Sequence, residues 1–362
     1  MKTLLFTLEF PPFKGGVANY YGNLAKYWPI GEALIVMDNN RNELASRDQI
    51  LPTWFTDISI LGRKIKLDKI EYVLVGQILP LGTTAWLLSL IHPFKYAVFL
   101  HGMDFAYALK SPRKRWLATQ ILRRADAIIA ANSYVADKIT EFRPALADKI
   151  GIVNPGVESG VPLKDEDMTA SLKSHYGLEG KTVLFTLGRL VRRKGIDQVI
   201  ASLEQIPEDM IHNLSYVIGG DGPDKDYLKS LVPAKFSKKI IFLGEIREDE
   251  KWTWLHLSDI FVMPSRDIDG DFEGFGIVYL EANLCGKPII AGRAGGVSDA
   301  VLDNYTGLLV DPESPAEISQ AIIKLVANPS LRDELGRQGK ERARAEFNWE
   351  KQLEKLLKII KD

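Results

Sequence analysis

Two α/β domains, each a parallel sheet covered on both faces, are what this chain of 362 residues predicts. Three observations carry that expectation. Short apolar, β-rich runs recur through both halves, helical patterns separate them, and a polar stretch divides the chain near its middle. The runs are TLLFTL, EALIVM, YVLVG, YAVFL, AIIAA and GIV, then TVLFTL, SYVIGG, IIFLG, IFVMPS, PIIAG and GLLVD. Strands that are apolar throughout, instead of alternating, belong to parallel sheets buried on both sides. The length also exceeds one typical hydrophobic core.

Taken in order, TLLFTL reads as a first strand, because Glu9 and Pro11-Pro12 interrupt it before a signal-peptide core is complete. Gly15 and Gly16 follow, ahead of a helix expected from Val17. The span Val73 to Phe94 lacks Asp, Glu, Lys and Arg and is long enough to cross a bilayer. Gly76, Gln77, Pro80, Gly82, Thr83 and Thr84 instead break it into a buried strand, a loop and a helix. YAVFL ends at His101. Residues 110–124, KSPRKRWLATQILRR, hold six basic side chains and no acid, with Trp116, Leu117, Ile121 and Leu122 among them. Such a helix suits an anionic membrane surface or, equally, a solvated basic face over a core stripe.

The polar segment NPGVESGVPLKDEDMTA, from Asn154, is read as the domain junction. The expected domains are 1–158 and 159–345. Residues 346–362 place Trp349, Leu353, Leu356, Leu357 and Ile360 on one helical stripe, expected to pack back on the first domain.

Composition removes several function classes. With 46 basic and 47 acidic side chains, the net charge of -1 gives no basis for nucleic-acid binding. The one cysteine, Cys285, permits no internal disulfide and suits a reducing cytoplasm. The five histidines form no HExxH cluster, so no catalytic metal is expected. G-x-G-x-x-G, Walker and G-x-S-x-G motifs are all missing, which disfavours nicotinamide-cofactor, P-loop and serine-hydrolase chemistry.

Ligands of open parallel sheets collect beyond the carboxyl ends of the strands. Gly15-Gly16 is there a phosphate cradle or simply a tight turn. In TVLFTLGRLVRRKG, Arg189 and Lys194 are cations placed to hold a diphosphate, unless Arg192 and Arg193 mark the whole segment as a solvated basic loop. GGDGP, Gly219 to Pro223, is a turn or a wall of the same pocket. His101 at a strand end could face a ligand or serve as a structural hydrogen-bonder. DFEGFGIVYLEA presents Glu273 and Glu281. On one continuous helix they would stand about 12 Å apart along the axis and about 80° around it, too far to serve one bond. With Gly274 and Gly276 forming a loop and a helix starting near Ile277, the two carboxylates reach different parts of one elongated ligand.

The GGV loop, GRLVRRKG, GGDGP, EGFGIVYLEA, GKPIIAGRAGGVSDAV and GLLVDP, in that order, resemble the retaining nucleotide-sugar glycosyltransferases of family 4, and EGFGIVYLE matches their E-x7-E signature. The resemblance implies the GT-B fold, two Rossmann-like domains facing a cleft, with acceptor binding in the first and donor binding in the second. It implies that Glu273 contacts donor-sugar hydroxyls, that Gly274, Phe275, Gly276 and Ile277 meet phosphate or sugar through backbone amides, and that Glu281 accepts from the ribose. Arg189 and Lys194 would neutralise the diphosphate, while His101, Gly15 and Gly16 would close over the donor from the first domain. No cofactor is implied, since the nucleotide sugar is a co-substrate. The style of DFEGFGIVYLEA after SRDIDGD is most similar to GDP-mannose enzymes acting on lipid or polysaccharide acceptors. UDP-glucose, UDP-galactose and UDP-N-acetylglucosamine stay open as donors, and a nucleotide-sugar 2-epimerase and a non-catalytic nucleotide-sugar sensor are the rival classes. The expected location is the cytoplasm, peripheral on the inner face of the membrane if residues 110–124 meet lipid.

Overall fold

The structure, a computed structural model, describes residues 1–13, 15–38, 54–158 and 160–361. It divides into two compact units, Met1–Gly156 with Trp349–Asp362, and Val157–Asn348.

In the first unit the strands are β1 (Lys2–Phe6), β2 (Ala33–Met37), β3 (Tyr72–Val75), β4 (Lys95–Leu100), β5 (Ala127–Ala130) and β6 (Ile150–Ile152). They form one sheet in the order β2-β1-β3-β4-β5-β6, with every pairing parallel. In the second unit β7 (Thr182–Leu187), β8 (Leu214–Gly219), β9 (Ile240–Gly244), β10 (Ile260–Met263), β11 (Ile289–Gly292) and β12 (Gly307–Val310) form a sheet ordered β12-β11-β10-β7-β8-β9, again wholly parallel. Each of the twelve apolar runs in the sequence supplies one of these strands. β3, β5, β10 and β11 are buried at every position, which is why their sequences show no alternation.

Parallel order reverses once in each sheet, between β1 and β3 in the first and between β7 and β10 in the second. At such a reversal the flanking crossovers leave to opposite sides, and the loops beyond the strand ends are left open to a ligand. Both Rossmann-like units therefore advertise a site at a defined place.

The apolar span Val73 to Phe94 resolves into β3, a loop and the helix Leu81–Leu88. No helix among the described residues is long and apolar enough to cross a membrane. The terminal helix Trp349–Lys361 buries Trp349, Leu353, Leu356 and Ile360 in the first unit's core, with Tyr20, Tyr21, Phe99 and Ile129. Their spacing of four, three and four residues keeps them on one face.

Candidate active site

The order reversal of the second sheet brings two loops together. Beyond β7, a 3-10 turn spans Arg192–Lys194. Beyond β10, an extended loop runs to the helix Ile277–Leu284, whose cap Gly276 is left-handed at φ 77°. The loops touch closely at Gly195, where φ is +71° and any Cβ would strike the Pro264 carbonyl. Glycine is the residue that meets both conditions. A backbone bond from Arg266 N to Arg193 O, 2.8 Å, ties the loops further.

Across this junction Lys194 is buried against Glu273, its ammonium in direct contact with carboxylate Oε2. Arg193 donates to the same oxygen at 2.9 Å, and its Nε lies 3.2 Å from Asp271. Burial works to raise the Glu273 pKa, but the charges of Lys194 and Arg193 prevail and hold the carboxyl below the usual range. Glu281, one turn into the helix that starts at Ile277, has its own cation. Lys251 Nζ lies 2.8 Å from Glu281 and also contacts Glu248. Here burial is the stronger influence and Lys251 only tempers it, so the Glu281 pKa is raised. Arg266 completes the framework by pairing with Asp197 at 2.7 Å and Glu313 at 3.3 Å. Arg189 is exposed and makes no ion pair among the described residues.

In the first unit, the helix Gly16–Lys26 begins beyond β1, one residue earlier than expected, and a Cβ at Gly16 would meet nothing within 4 Å. His101 follows β4. Its ring stacks on Phe99, meets Tyr20 and Tyr21 edge-on, and places Nε2 2.8 Å from the Tyr21 hydroxyl. Tyr21 donates to Gly76 O at 2.7 Å. Burial pushes the His101 pKa down to about 4. Asp104 Oδ1 accepts from the amides of His101 and Gly102, both at 3.0 Å, yet burial still raises that carboxyl to about 6. Among the described residues no group of three His, Cys, Asp or Glu could hold a metal ion.

Residues 39–156 match the model of the glycosyl transferase 4-like domain, and residues 169–342 that of glycosyl transferases group 1. The chain is a family-4 glycosyltransferase with the GT-B fold. The glycosyltransferase is 28% identical to the GDP-mannose-dependent alpha-(1-6)-phosphatidylinositol monomannoside mannosyltransferase of Mycolicibacterium smegmatis, over 99% of this chain and 97% of that one. It is 29% identical to the GDP-mannose-dependent monoacylated alpha-(1-6)-phosphatidylinositol monomannoside mannosyltransferase of Corynebacterium glutamicum, over 99% and 97% of the two chains. Among solved structures, Anabaena HepE in complex with UDP superposes with a TM-score of 0.80 at 19% identity, each chain covered completely.

In this glycosyltransferase the fold gathers Lys194, Glu273 and the Gly274–Ile277 loop at the end of the second sheet. Phe275 turns its ring into the core against Phe347, leaving only its backbone for a ligand. GGDGP backs the β7 loop, with Leu190 N donating to Asp221 O at 2.9 Å. Arg193 differs from the expectation of a solvent-facing side chain. It is an inward partner of Glu273, whereas Arg192 is exposed over the Tyr227 ring at 4.3 Å. The 3-10 turn, with three residues per turn, rotates neighbours in sequence to different sides. Lys251 and Arg266 were not legible as site residues.

In the basic segment, the helix Pro112–Arg124 is capped by Ser111, with proline at its first turn. Ile121 and Leu122 are core residues, but Trp116 is 56% exposed, beside exposed Arg113 and Arg115. Arg124 is engaged elsewhere, donating to Ser89 O at 2.9 Å.

Proposed function

We propose that the enzyme transfers mannose from GDP-mannose to a lipid or saccharide acceptor, with retention of anomeric configuration and without a metal ion. The observation that carries this reading is the contact of Lys194 and Arg193 with Glu273 at the order reversal, on a chain with GDP-mannose-dependent mannosyltransferases among its full-length relatives.

The reading assigns Lys194 and Arg189 to the diphosphate. As the anomeric C–O bond breaks, negative charge grows on the leaving phosphate, and cations fixed beside it favour the transition state over the ground state. Lys194 spends the unliganded state on Glu273, so donor binding replaces part of that contact with phosphate oxygen. Arg193 keeps Glu273 ionised and oriented meanwhile, and Glu273 then accepts from sugar hydroxyls. Glu281, set apart by the helix start at Ile277, takes the ribose. Amides of Gly274 to Ile277, with Gly15 and Gly16 opposite in role, meet phosphate or sugar. With two cations on the diphosphate, a divalent ion is electrostatically redundant.

Exposed Trp116 among Arg113, Lys114 and Arg115 supports contact of residues 110–124 with an anionic cytoplasmic membrane face, where a lipid acceptor would reside. The test is a thermal-shift screen of GDP-mannose against UDP-sugars with and without EDTA, followed by NMR of the product's anomeric proton. Stabilisation by GDP-mannose in EDTA and a retained anomer are expected. Stabilisation by UDP-sugars alone, loss with EDTA, or an inverted product overturns the corresponding part.

A further inference from the structure

The Tyr21 hydroxyl has one proton and two close neighbours. Gly76 O, at 2.7 Å, can only accept, so the phenolic proton points there. The 2.8 Å contact between Tyr21 Oη and His101 Nε2 then needs a hydrogen from the imidazole. If Nε2 were bare, two lone pairs would face each other at hydrogen-bond distance beside the buried Tyr21 ring, a cost that desolvated polar groups do not normally carry. A half-turn of the ring would face the Tyr21 hydroxyl with a ring carbon and forfeit the bond, and the ring plane itself is held. Phe99 stacks on it with ring centroids 6.4 Å apart, and Tyr20 and Tyr21 meet it edge-on at 5.2 and 5.4 Å. Nδ1 makes no hydrogen bond among the described residues.

We propose that Tyr21 is a positioning residue that fixes His101 as the Nε2–H tautomer, so that Nδ1 meets a ligand hydroxyl as a hydrogen-bond acceptor. The proposal rests on the reading above only in taking that ligand to be the donor sugar. The consequence is a selection by chemistry. A neutral ring with a free Nδ1 lone pair welcomes a sugar hydroxyl and repels a phosphate oxygen, so His101 belongs to the sugar end of the donor and contributes no charge to the diphosphate. The burial that lowers the His101 pKa acts in the same direction, against an imidazolium. Asp104 makes no bond to Nδ1, since Oδ1 accepts from the amides of His101 and Gly102 and Oδ2 has no hydrogen-bond partner among the described residues.

The experiment is a long-range ¹H–¹⁵N spectrum of the ligand-free protein labelled at histidine nitrogen, with His101→Gln identifying one of the five rings. At neutral pH, His101 is expected to show a protonated Nε2 and a bare Nδ1. A protonated Nδ1, or both nitrogens protonated, overturns the proposal without any variant at Tyr21. In Tyr21→Phe the Nε2–H loses its acceptor, and the two neutral tautomers should mix. That variant should lower kcat/KM for GDP-mannose roughly five- to tenfold, the worth of one ordinary hydrogen bond, while binding GDP as the parent does. Equal loss for GDP and GDP-mannose, or unchanged spectra and kinetics, defeats the assignment of His101 to the sugar. If the parent does not turn over GDP-mannose at all, the donor reading fails while the spectrum still decides the tautomer.

Discussion

The two strand-end sites of this enzyme treat buried charge in opposite ways. Beyond β7 and β10, Glu273 is buried and yet more acidic than usual, because Lys194 and Arg193 reach it. Beyond β4, His101 and Asp104 are partly exposed but strongly desolvated, neither makes an ion pair among the described residues, and each is pushed toward its neutral form. Desolvation is common to both places, and the neighbour decides the outcome. The proposed function uses that contrast, with a charged ligand group assigned to one unit and uncharged hydroxyls to the other.

That contrast can be broken most forcefully at Lys194. Lys194→Ala should reduce kcat/KM by on the order of 10² or more, the scale of one electrostatic contact made to a transition state. Lys194→Met should be nearly as damaging, since the stem packs and only charge is lost. Steady-state kinetics on GDP-mannose, with circular dichroism as the folding control, checks both. A methionine variant with most of its activity removes Lys194 from the role. Arg193→Ala should lose on the order of tenfold, and Arg192→Ala almost nothing, because only the first side chain holds a charge-assisted bond to Glu273. Equal losses would return the segment to a merely basic loop.

The carboxylates sharpen the comparison through stability. Glu273 has a lowered folded pKa, so its ionised form stabilises the fold above the ordinary carboxyl pKa, and that stability is lost as pH falls through the lowered value. Glu281 has a raised folded pKa, so its ionised form is a liability at neutral pH. Urea unfolding at pH 7 should show Glu273→Gln destabilised and Glu281→Gln equal to or more stable than the parent. Glu281→Gln should nonetheless bind GDP and GDP-mannose more weakly by the same factor, about fivefold, as expected for one bond to a shared ribose. Unchanged GDP affinity would take Glu281 off the ribose.

His101 gives a smaller effect with a defined window. Its folded pKa of about 4 lies below the ordinary 6.5, so the unfolded chain binds more protons between those values and stability falls as pH drops through them. Asp104, raised to about 6 from 3.8, works in the reverse sense over an overlapping range. His101→Gln should therefore flatten or invert the acid slope of unfolding free energy between pH 6.5 and 4, and an unchanged slope would contradict the neutral-cluster picture. Smallest of all, replacing Arg113, Lys114 and Arg115 by glutamine should lower sedimentation with anionic vesicles and leave donor hydrolysis intact. Equal vesicle binding favours a solvated face.

All twelve strands could be read from their apolar runs, because a parallel sheet covered on both faces favours apolar residues at every position of its central strands, and even the less buried edge strands β2, β6 and β9 keep that composition. The helix start at Ile277, between Glu273 and Glu281, was readable too, from the glycines that precede it. Arg193 was not. Its role depends on the rotation of a three-residue turn and on a loop eighty positions away, and local pattern contains neither. Lys251 was hidden for the same reason, as its partner Glu281 comes from another helix. The tautomer of His101 needed three residues from separate elements, Tyr21, Gly76 and His101, whose proximity follows only from the sheet order.

Trp349 lies 5.4 Å from Tyr20, and Tyr20 lies 5.2 Å from the His101 ring. The helix that begins at Trp349 is made after the whole of residues 157–348, yet it closes the core of the unit that precedes them. Residues 157–348 have all of their own unit once they are made, while the earlier unit must wait, with an uncovered apolar face, until residues 349–361 follow. A premature stop near residue 348 would accordingly spare the later-made unit and ruin the earlier one.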